Sequence, residues 1–200
     1  MEQRSEEWFA ARLGIPTASR YKDLLAKTKS GYSTSRQNYV AQLVCERLTG
    51  KREESYQNAA MQWGTEQEPF ARMALEARGI MVEEVGFVRH PTIDTGCSPD
   101  GLIDADGMVE IKCPITATHI DTLLNGFPSG HVAQVQGQMW VCDRQWCDFV
   151  SYDPRLPKGM DFFVDRIDRD QAYIDTLETE VCKFLNEIND TIATLQEKAK

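Results

Sequence analysis

Apolar residues recur at intervals of three or four positions through the first third of the chain, which is the spacing of amphipathic helices. Thr34 and Gln37 have the spacing of a capping box, and Gly50 is a typical helix terminator. The same interval returns near the end of the chain, from Ile174 to Ile188. The pattern predicts helices over about 5–14, 17–28, 33–50, 58–78 and 170–198.

The apolar period changes in the middle of the chain, where Val, Ile and Phe become frequent and strands are predicted. The turn signal "ADG" at 105–107 separates two such stretches and predicts a β-hairpin. Strands are expected over 80–90, 94–104, 108–114, 146–153 and 160–167, with further helices over 117–126 and 130–142. This order of elements predicts an α/β or α+β fold with a mixed central sheet.

The chain carries no obvious linker, repeat or low-complexity run. Its 200 residues fit one domain with a sizeable core, although two small domains would also fit the length. One domain over 1–200 is predicted, with a helical N-terminal region at about 1–79, a sheet core at about 80–166 and a C-terminal helix. No apolar stretch has the length of a membrane span or a signal peptide, so a cytoplasmic location without membrane contact is expected.

The formal net charge of -9 argues against a protein that coats nucleic acid through bulk electrostatics. The charge is uneven, because residues 1–52 hold ten Lys/Arg against five Asp/Glu and residues 161–200 hold five against ten. The basic region could offer one phosphate-binding face, or the two regions could simply be solvated surfaces. The six cysteines are scattered without a CxxC pair, so they are expected to pack as small apolar residues.

The predicted hairpin carries a possible metal site. Strand periodicity places Glu110 and Lys112 on one face, and pairing brings Asp100 alongside Glu110. With the backbone carbonyl of Ile111, these carboxylates form a hard oxygen set that suits Mg²⁺ or Mn²⁺ better than Zn²⁺. Lys112 could hold a nucleophilic water, and burial and metal would lower its pKa. A surface Glu–Lys pair of little energetic value fits the same spacing.

Two helical segments could extend this site. Glu68, in "GTEQE", could bring a third carboxylate to the cluster. Gln134 and Gln138 share one helical face, from which an amide could hold a catalytic carboxylate in place. Half-exposed surface glutamines are the alternative at these positions.

The motifs "SPDGL…EIKCP", "WGTEQE" and "AQVQGQMWV", in this order, resemble the lambda exonuclease (YqaJ-type viral recombinase) branch of the PD-(D/E)xK nucleases. The resemblance runs from "WFAARLGIPTAS" through "YDPR" at 152–155 into the last helix, and covers nearly the whole chain. It implies a restriction-endonuclease-like core in which helices flank a mixed sheet.

The resemblance also implies an activity. Members of this family are Mg²⁺-dependent exonucleases, with Mn²⁺ as a possible substitute and two ions per site. They digest the 5′-ended strand of linear double-stranded DNA to mononucleotides and leave a 3′ single-stranded tail for recombination. The resemblance further implies a ring-shaped homotrimer around the DNA and a single-strand annealing protein as partner. A ring needs only a basic channel lining, so residues 1–52 are expected to face the channel and the acidic last helix to face outward.

The family's functional residues transfer to this chain by motif position. Asp100, Glu110 and the Ile111 carbonyl correspond to metal ligands, and Lys112 to the catalytic lysine. The remaining correspondences are Glu68 as the acid that completes the metal site, Gln134 as the supporting glutamine, Arg12, Ser19 and Ser98 as a pocket for the 5′-phosphate, and Met61 as an apolar wedge that splits the duplex end.

Two other functions compete with this interpretation. A RecB- or Cas4-like nuclease would hold an iron–sulfur cluster through four cysteines, which need a clustered spacing that this chain lacks. A catalytically silent DNA-end-binding or annealing module would have no need of the acidic set at Asp100, Glu110 and Glu68.

Overall fold

A computed structural model describes residues 1–52 and 58–200 of the chain. Its α-helices are α1 (Glu6–Arg12), α2 (Tyr21–Leu25), α3 (Thr34–Thr49), α4 (Ala59–Glu76), α5 (Thr116–Asn125), α6 (Val132–Cys142) and α7 (Gln171–Lys198). Its strands are β1 (Lys27–Thr28), β2 (Gly31–Tyr32), β3 (Val88–Arg89), β4 (Gly96–Cys97), β5 (Gly101–Ile103), β6 (Gly107–Lys112), β7 (Trp146–Tyr152) and β8 (Phe162–Asp168).

The central sheet has the strand order β5-β6-β7-β8. The pairs β5/β6 and β7/β8 are antiparallel, whereas β6 and β7 run parallel. Helix α5, the short helical turn Ser129–His131 and helix α6 form the crossover between the two parallel strands. The fold is therefore a mixed α/β arrangement, as the order of elements predicted.

The alternation of side chains along β6 decides which helix each residue meets. Val109 and Ile111 pack with Leu75 of α4 on one face of the sheet. Met108 packs with Val135 of α6 on the other face. Because strand side chains alternate, Glu110 shares the α6 face with Met108. This arrangement points a carboxylate at the helix that carries the glutamines.

A helical layer packs beyond α6. Tyr21 of α2, Leu43 of α3, Trp140 of α6 and Leu177 of α7 belong to one buried cluster, which also contains Cys97 of β4. This cluster fixes the position of β4, the strand that directly precedes the "SPDG" segment.

Several local predictions were wrong. Helix α3 is capped by Ser33, whose hydroxyl accepts from the Arg36 N–H, because Thr34 already lies in the first helical turn. Residues 80–90 form a strand only at Val88–Arg89, because its partner β4 has only two residues, and Glu83 adds one isolated bridge to Leu102 of β5. The predicted strand 94–104 is broken between β4 and β5.

The predicted hairpin is confirmed, but its loop differs from the expected Asp-Gly turn. Ile103 pairs with Gly107, so the loop comprises 104–106 and the glycine begins β6. Gly107 is required by packing, because an added Cβ would lie 2.1 Å from the Trp146 ring. Among residues 1–52 and 58–200, no helix combines the length and apolar character of a membrane span. The single-domain organisation stays a prediction.

Candidate active site

Glu110 is a carboxylate held inside the protein by amide and ammonium donors. Its side chain is only 2% exposed, because β6 buries it against α6. Oε1 accepts hydrogen bonds from Lys112 Nζ and Gln134 Nε2, each at 2.5 Å, and Oε2 accepts from Gln138 Nε2 at 2.7 Å. The alternative of half-exposed surface glutamines is therefore wrong for Gln138, which is buried, whereas Gln134 is half-buried and still donates to Glu110.

Asp100 is the last residue of the segment that separates β4 from β5. Its Oδ2 accepts from the backbone N–H of Ile111 at 2.6 Å, so it lies beside the strand that carries Glu110. Burial, together with the charges of Glu110 and Glu68, raises the Asp100 pKa well above its ordinary value. The folded protein therefore resists a negative charge on Asp100, and a bound cation would relieve that resistance.

The acids around Lys112 outweigh burial in setting its pKa. Burial alone would lower the pKa, but the charges of Glu110, Asp100 and Glu68 and the hydrogen bond to Glu110 together raise it. The expected lowering included the charge of a bound metal ion, so it stays a prediction. Lys112 is a positively charged group at neutral pH, held 2.5 Å from the Glu110 carboxylate.

Glu68 lies on α4, and two arginines bind its carboxylate. Arg4 Nη2 donates to Oε2 at 2.8 Å, and Arg72 Nη2 lies 3.5 Å from Oε1. Arg72 also pairs with Glu84. Glu68 therefore faces the same cavity as Asp100 and Glu110 while carrying an ion pair of its own.

A second group of polar side chains surrounds Ser98. Its hydroxyl accepts from Arg12 Nη1 at 3.1 Å and from the indole N–H of Trp8 at 2.9 Å. The Arg12 guanidinium lies 4.0 Å from the Trp8 ring centroid, in a cation–π arrangement that fixes its plane. Ser19 lies nearby in the short helical turn before α2, with its hydroxyl 3.3 Å from that of Thr17.

One cavity of about 890 Å³ joins the two groups. All ten residues predicted from the sequence line it: Arg12, Ser19, Met61, Glu68, Ser98, Asp100, Glu110, Ile111, Lys112 and Gln134. Met61 lies in the first turn of α4 with 52% of its surface exposed, and its role as a wedge stays a prediction. The acidic group and the Arg12–Ser98 group thus open into the same space.

The donor set fits a hard divalent cation that keeps water ligands. Across residues 1–52 and 58–200, no three Asp, Glu, His or Cys side chains form a ready metal-binding cluster. Mg²⁺ typically takes one or two protein carboxylates and completes its shell with water and substrate phosphate, so Asp100 and Glu110 suffice. Within the part of the chain that the structure describes, the buried Oε1 of Gln138 has no hydrogen-bond partner, and Gln138 also lines this cavity.

The iron–sulfur alternative lacks a ligand set. All six cysteines are free thiols, and in the part of the chain that the structure describes no three of them meet in a metal-binding group. Cys97 and Cys142 are adjacent, with their sulfur atoms 3.4 Å apart. Two thiols do not provide the four ligands that a cluster needs.

Sequence reasoning missed Trp8 and Arg4. Trp8 precedes Arg12 by four residues, which places both on one face of α1, so helical spacing could have identified it. Arg4 meets Glu68 across 64 residues of chain, and no local pattern signals that contact.

Comparisons with known proteins identify the family of the chain. The family profile described as the YqaJ-like viral recombinase domain matches residues 7–145. An alkaline exonuclease from Laribacter hongkongensis, LHK-Exo, is 52% identical, with a TM-score of 0.92 and 98% of each chain covered. The complex of LHK-Exo with dAMP gives the same TM-score at 53% identity, again with 98% of each chain covered.

More distant relatives support the fold. A phage-related exonuclease from Haemophilus somnus 129PT has a TM-score of 0.71 over 90% of this chain and 96% of its own, and its 14% identity shows a shared fold alone. ExoD from Escherichia coli K12 is 32% identical over 76 residues, which span 36% of this chain and 85% of that protein.

Proposed function

The chain belongs to the YqaJ-like viral recombinase domain family, and from this premise we propose that it is a Mg²⁺-dependent 5′-to-3′ exonuclease. A nuclease role agrees with its 52% identity to an alkaline exonuclease. The proposed reaction hydrolyses the 5′-ended strand of linear double-stranded DNA, releases mononucleotides and leaves a 3′ single-stranded tail. Strand annealing would then use that tail for recombination.

The observation that carries the proposal is the shared cavity. It places a buried, oriented carboxylate, Glu110, in the same space as the Arg12–Ser98 pair. A nuclease that works from a strand end needs both a hydrolytic centre and a group that locates the end. A DNA-end-binding module would need only the second, whereas burying Glu110 and Asp100 costs stability that binding alone does not require.

The chain's own residues have distinct roles in the proposed reaction. Asp100, Glu110 and the Ile111 carbonyl would hold one or two Mg²⁺ ions, with Glu68 at the edge of the site. Bound Mg²⁺ would supply Lewis-acid activation of the scissile phosphate. Gln134 and Gln138 keep the Glu110 carboxylate in one orientation. Lys112, as an ammonium, can donate a hydrogen bond to the attacking water and stabilise negative charge that develops on the phosphate.

The Arg12–Ser98 pair is proposed to bind the 5′-terminal phosphate. A guanidinium can contact two phosphate oxygens at once, and the hydroxyls of Ser98 and Ser19 can donate to the others. The related LHK-Exo has been solved in complex with dAMP, and the proposed reaction would release mononucleotides of this kind. Met61, exposed in the first turn of α4, is proposed to separate the last base pair.

The assembly and partner belong to the same proposal. A homotrimeric ring would keep the enzyme on the DNA by topology, and a single-strand annealing protein would receive the 3′ tail. Sedimentation velocity on the purified protein tests the trimer, and a strict monomer would remove the ring.

The proposed polarity and end requirement can be tested together. Linear duplexes of one sequence would carry 5′-phosphate or 5′-hydroxyl, with the label on either the 5′ or the 3′ end of one strand. The expected result is early release of labelled mononucleotide from the 5′-phosphate end only. Equal rates on 5′-phosphate and 5′-hydroxyl duplexes would contradict the proposed end requirement. Release of the 3′ label first would contradict the proposed polarity. Binding of the ends without release would favour the silent end-binding module.

A further inference from the structure

The first residues of the chain form a turn that lies against the candidate active site. We call residues 1–5 the N-terminal strap. Gln3 Nε2 donates to the backbone oxygens of Val85 and Pro99, at 3.0 and 2.8 Å, and so fastens the strap beside Asp100. The carbonyl of Glu2 accepts from both the backbone N–H and the hydroxyl of Ser5, which closes the turn before α1.

Arg4 occupies the strained position of this turn. Its φ is +69°, in the left-handed region that residues other than Gly, Asn and Asp seldom adopt. The turn directs the guanidinium to Glu68 Oε2 at 2.8 Å, and both residues line the cavity of about 890 Å³. Backbone strain of this kind often occurs where a side chain has a functional role.

The two arginines that contact Glu68 differ in how easily their ion pair with its carboxylate can break. Arg72 is on the same helix, one turn after Glu68, with a side chain 13% exposed and a second carboxylate partner in Glu84. The Arg4 side chain is 47% exposed, and Glu68 is its one ion-pair partner among the residues that the structure describes. A half-exposed ion pair of this kind is weak and exchanges readily, whereas the Arg72 side chain is mostly buried and is also paired with Glu84.

We propose that Arg4 is a positioning residue that competes with a divalent metal ion for the Glu68 carboxylate. The inference rests on the proposed function, since it assigns Glu68 to the metal centre. In the metal-free protein, Arg4 compensates a carboxylate that would otherwise repel Asp100 and Glu110. Metal binding replaces that compensation and frees the guanidinium into the cavity, while Arg72 keeps Glu68 oriented.

Calorimetric titration of the DNA-free protein with Mn²⁺ tests this competition without any turnover. Arg4→Gln should bind Mn²⁺ about two- to fivefold more tightly than wild type, the size expected for a half-exposed ion pair. Arg89→Gln is the matched control, because Arg89 forms an exposed pair with Asp94 at 2.7 Å outside the cavity lining. It should leave the Mn²⁺ affinity unchanged.

The same titration in a Glu68→Gln background separates competition from general electrostatics. Without the Glu68 carboxylate, Arg4 and Mn²⁺ have no shared ligand, so adding Arg4→Gln should not change the Mn²⁺ affinity further. Unchanged or weaker Mn²⁺ binding by Arg4→Gln, or an equal gain in the Glu68→Gln background, would overturn the inference and leave the metal centre intact. Failure of every variant and of wild type to bind Mn²⁺ would instead overturn the proposed metal centre itself.

Discussion

The side-chain amide of Gln138 donates to Oε2 of Glu110 at 2.7 Å, and neither side chain is more than 2% exposed. A buried carboxylate keeps its charge only where donors compensate the lost water. Gln138 therefore links the orientation of α6 directly to the acid that is proposed to bind metal.

Replacing Gln138 should slow catalysis more than replacing Gln136, a buried glutamine of the same helix that does not contact Glu110. Gln138→Leu leaves one oxygen of Glu110 without its donor, and we expect the nuclease rate to fall about 10- to 100-fold, as for other residues that orient metal ligands. Gln136, on the other face of α6, donates to the Asp168 carbonyl and accepts from the Asp170 N–H. Gln136→Leu should lower the free energy of unfolding by about 1–3 kcal/mol with little change in rate.

Digestion of linear duplex DNA and urea unfolding, measured on both glutamine variants, check this prediction. Equal losses of rate in the two variants would show that Gln138 acts only through the stability of the protein.

Arg12 should set the preference for 5′-phosphate ends. Arg12→Lys keeps the charge but loses the paired N–H groups and the planar contact with Trp8, so we expect the rate ratio of 5′-phosphate to 5′-hydroxyl ends to fall about tenfold. Arg78→Lys is the control, because Arg78 also stacks on an aromatic ring, that of Phe162 at 3.8 Å, but does not line the cavity. A ratio that stays at the wild-type value in Arg12→Lys would remove Arg12 from the phosphate pocket.

The stability of the metal-free protein should depend on Asp100 and on pH. The folded protein raises the Asp100 pKa through burial, Glu110 and Glu68, so folding favours the protonated carboxyl. The contribution of Asp100 to the free energy of unfolding is fully present below its pKa in the unfolded chain, about 3.9. It is lost as the pH rises through its pKa in the folded protein. Asp100→Asn should therefore melt above wild type in EDTA, by a margin that grows with pH.

Asp153 provides a control of opposite sign. Burial alone would raise its pKa, but hydrogen bonds from Arg155 and Thr116 lower the pKa to about 2. Its contribution to stability is present above about pH 4 and is lost as pH falls toward 2. Asp153→Asn should therefore melt below wild type at neutral pH, with a margin that shrinks in acid. Thermal melting from pH 3 to 9 compares both variants, and a pH-independent margin for Asp100→Asn would contradict the expected titration.

Gly137 should tolerate no side chain, because α6 meets the helical layer there. An added Cβ would lie 2.4 Å from the Tyr21 ring, which is anchored by a 2.6 Å hydrogen bond to Thr95. Gly137→Ala is expected to cost about 1–3 kcal/mol of unfolding free energy, as other overpacking substitutions do. Gly130→Ala meets nothing within 4 Å and should be nearly neutral. Urea unfolding distinguishes the two, and equal stabilities would mean that α6 can shift.

The sequence predicted the centre of the site because its geometry is local. Glu110 and Lys112 lie on one face by strand period alone, and a three-residue loop brings Asp100 to the same strand. The glutamine pair of α6 followed equally from helical spacing. What periodicity could not decide was whether those amides faced water or Glu110, since that depends on the packing of α6 against β6.

Contacts between distant parts of the chain could not be predicted from strand or helix periodicity. The Arg4–Glu68 pair depends on a turn fastened by Gln3, and the short strand at Val88–Arg89 depends on pairing with the two-residue strand β4. Local spacing also could not show that three acids surround Lys112 and raise its pKa against the effect of burial.

Digestion of 5′-phosphorylated linear duplex DNA in Mg²⁺ by wild type and Lys112→Ala tests the central claim most directly. The account predicts that wild type releases mononucleotides, that EDTA stops the release, and that Lys112→Ala, verified as folded by its melting curve, is slower by about 100-fold or more. Wild type that releases no nucleotides, or Lys112→Ala that keeps the full rate, would contradict it.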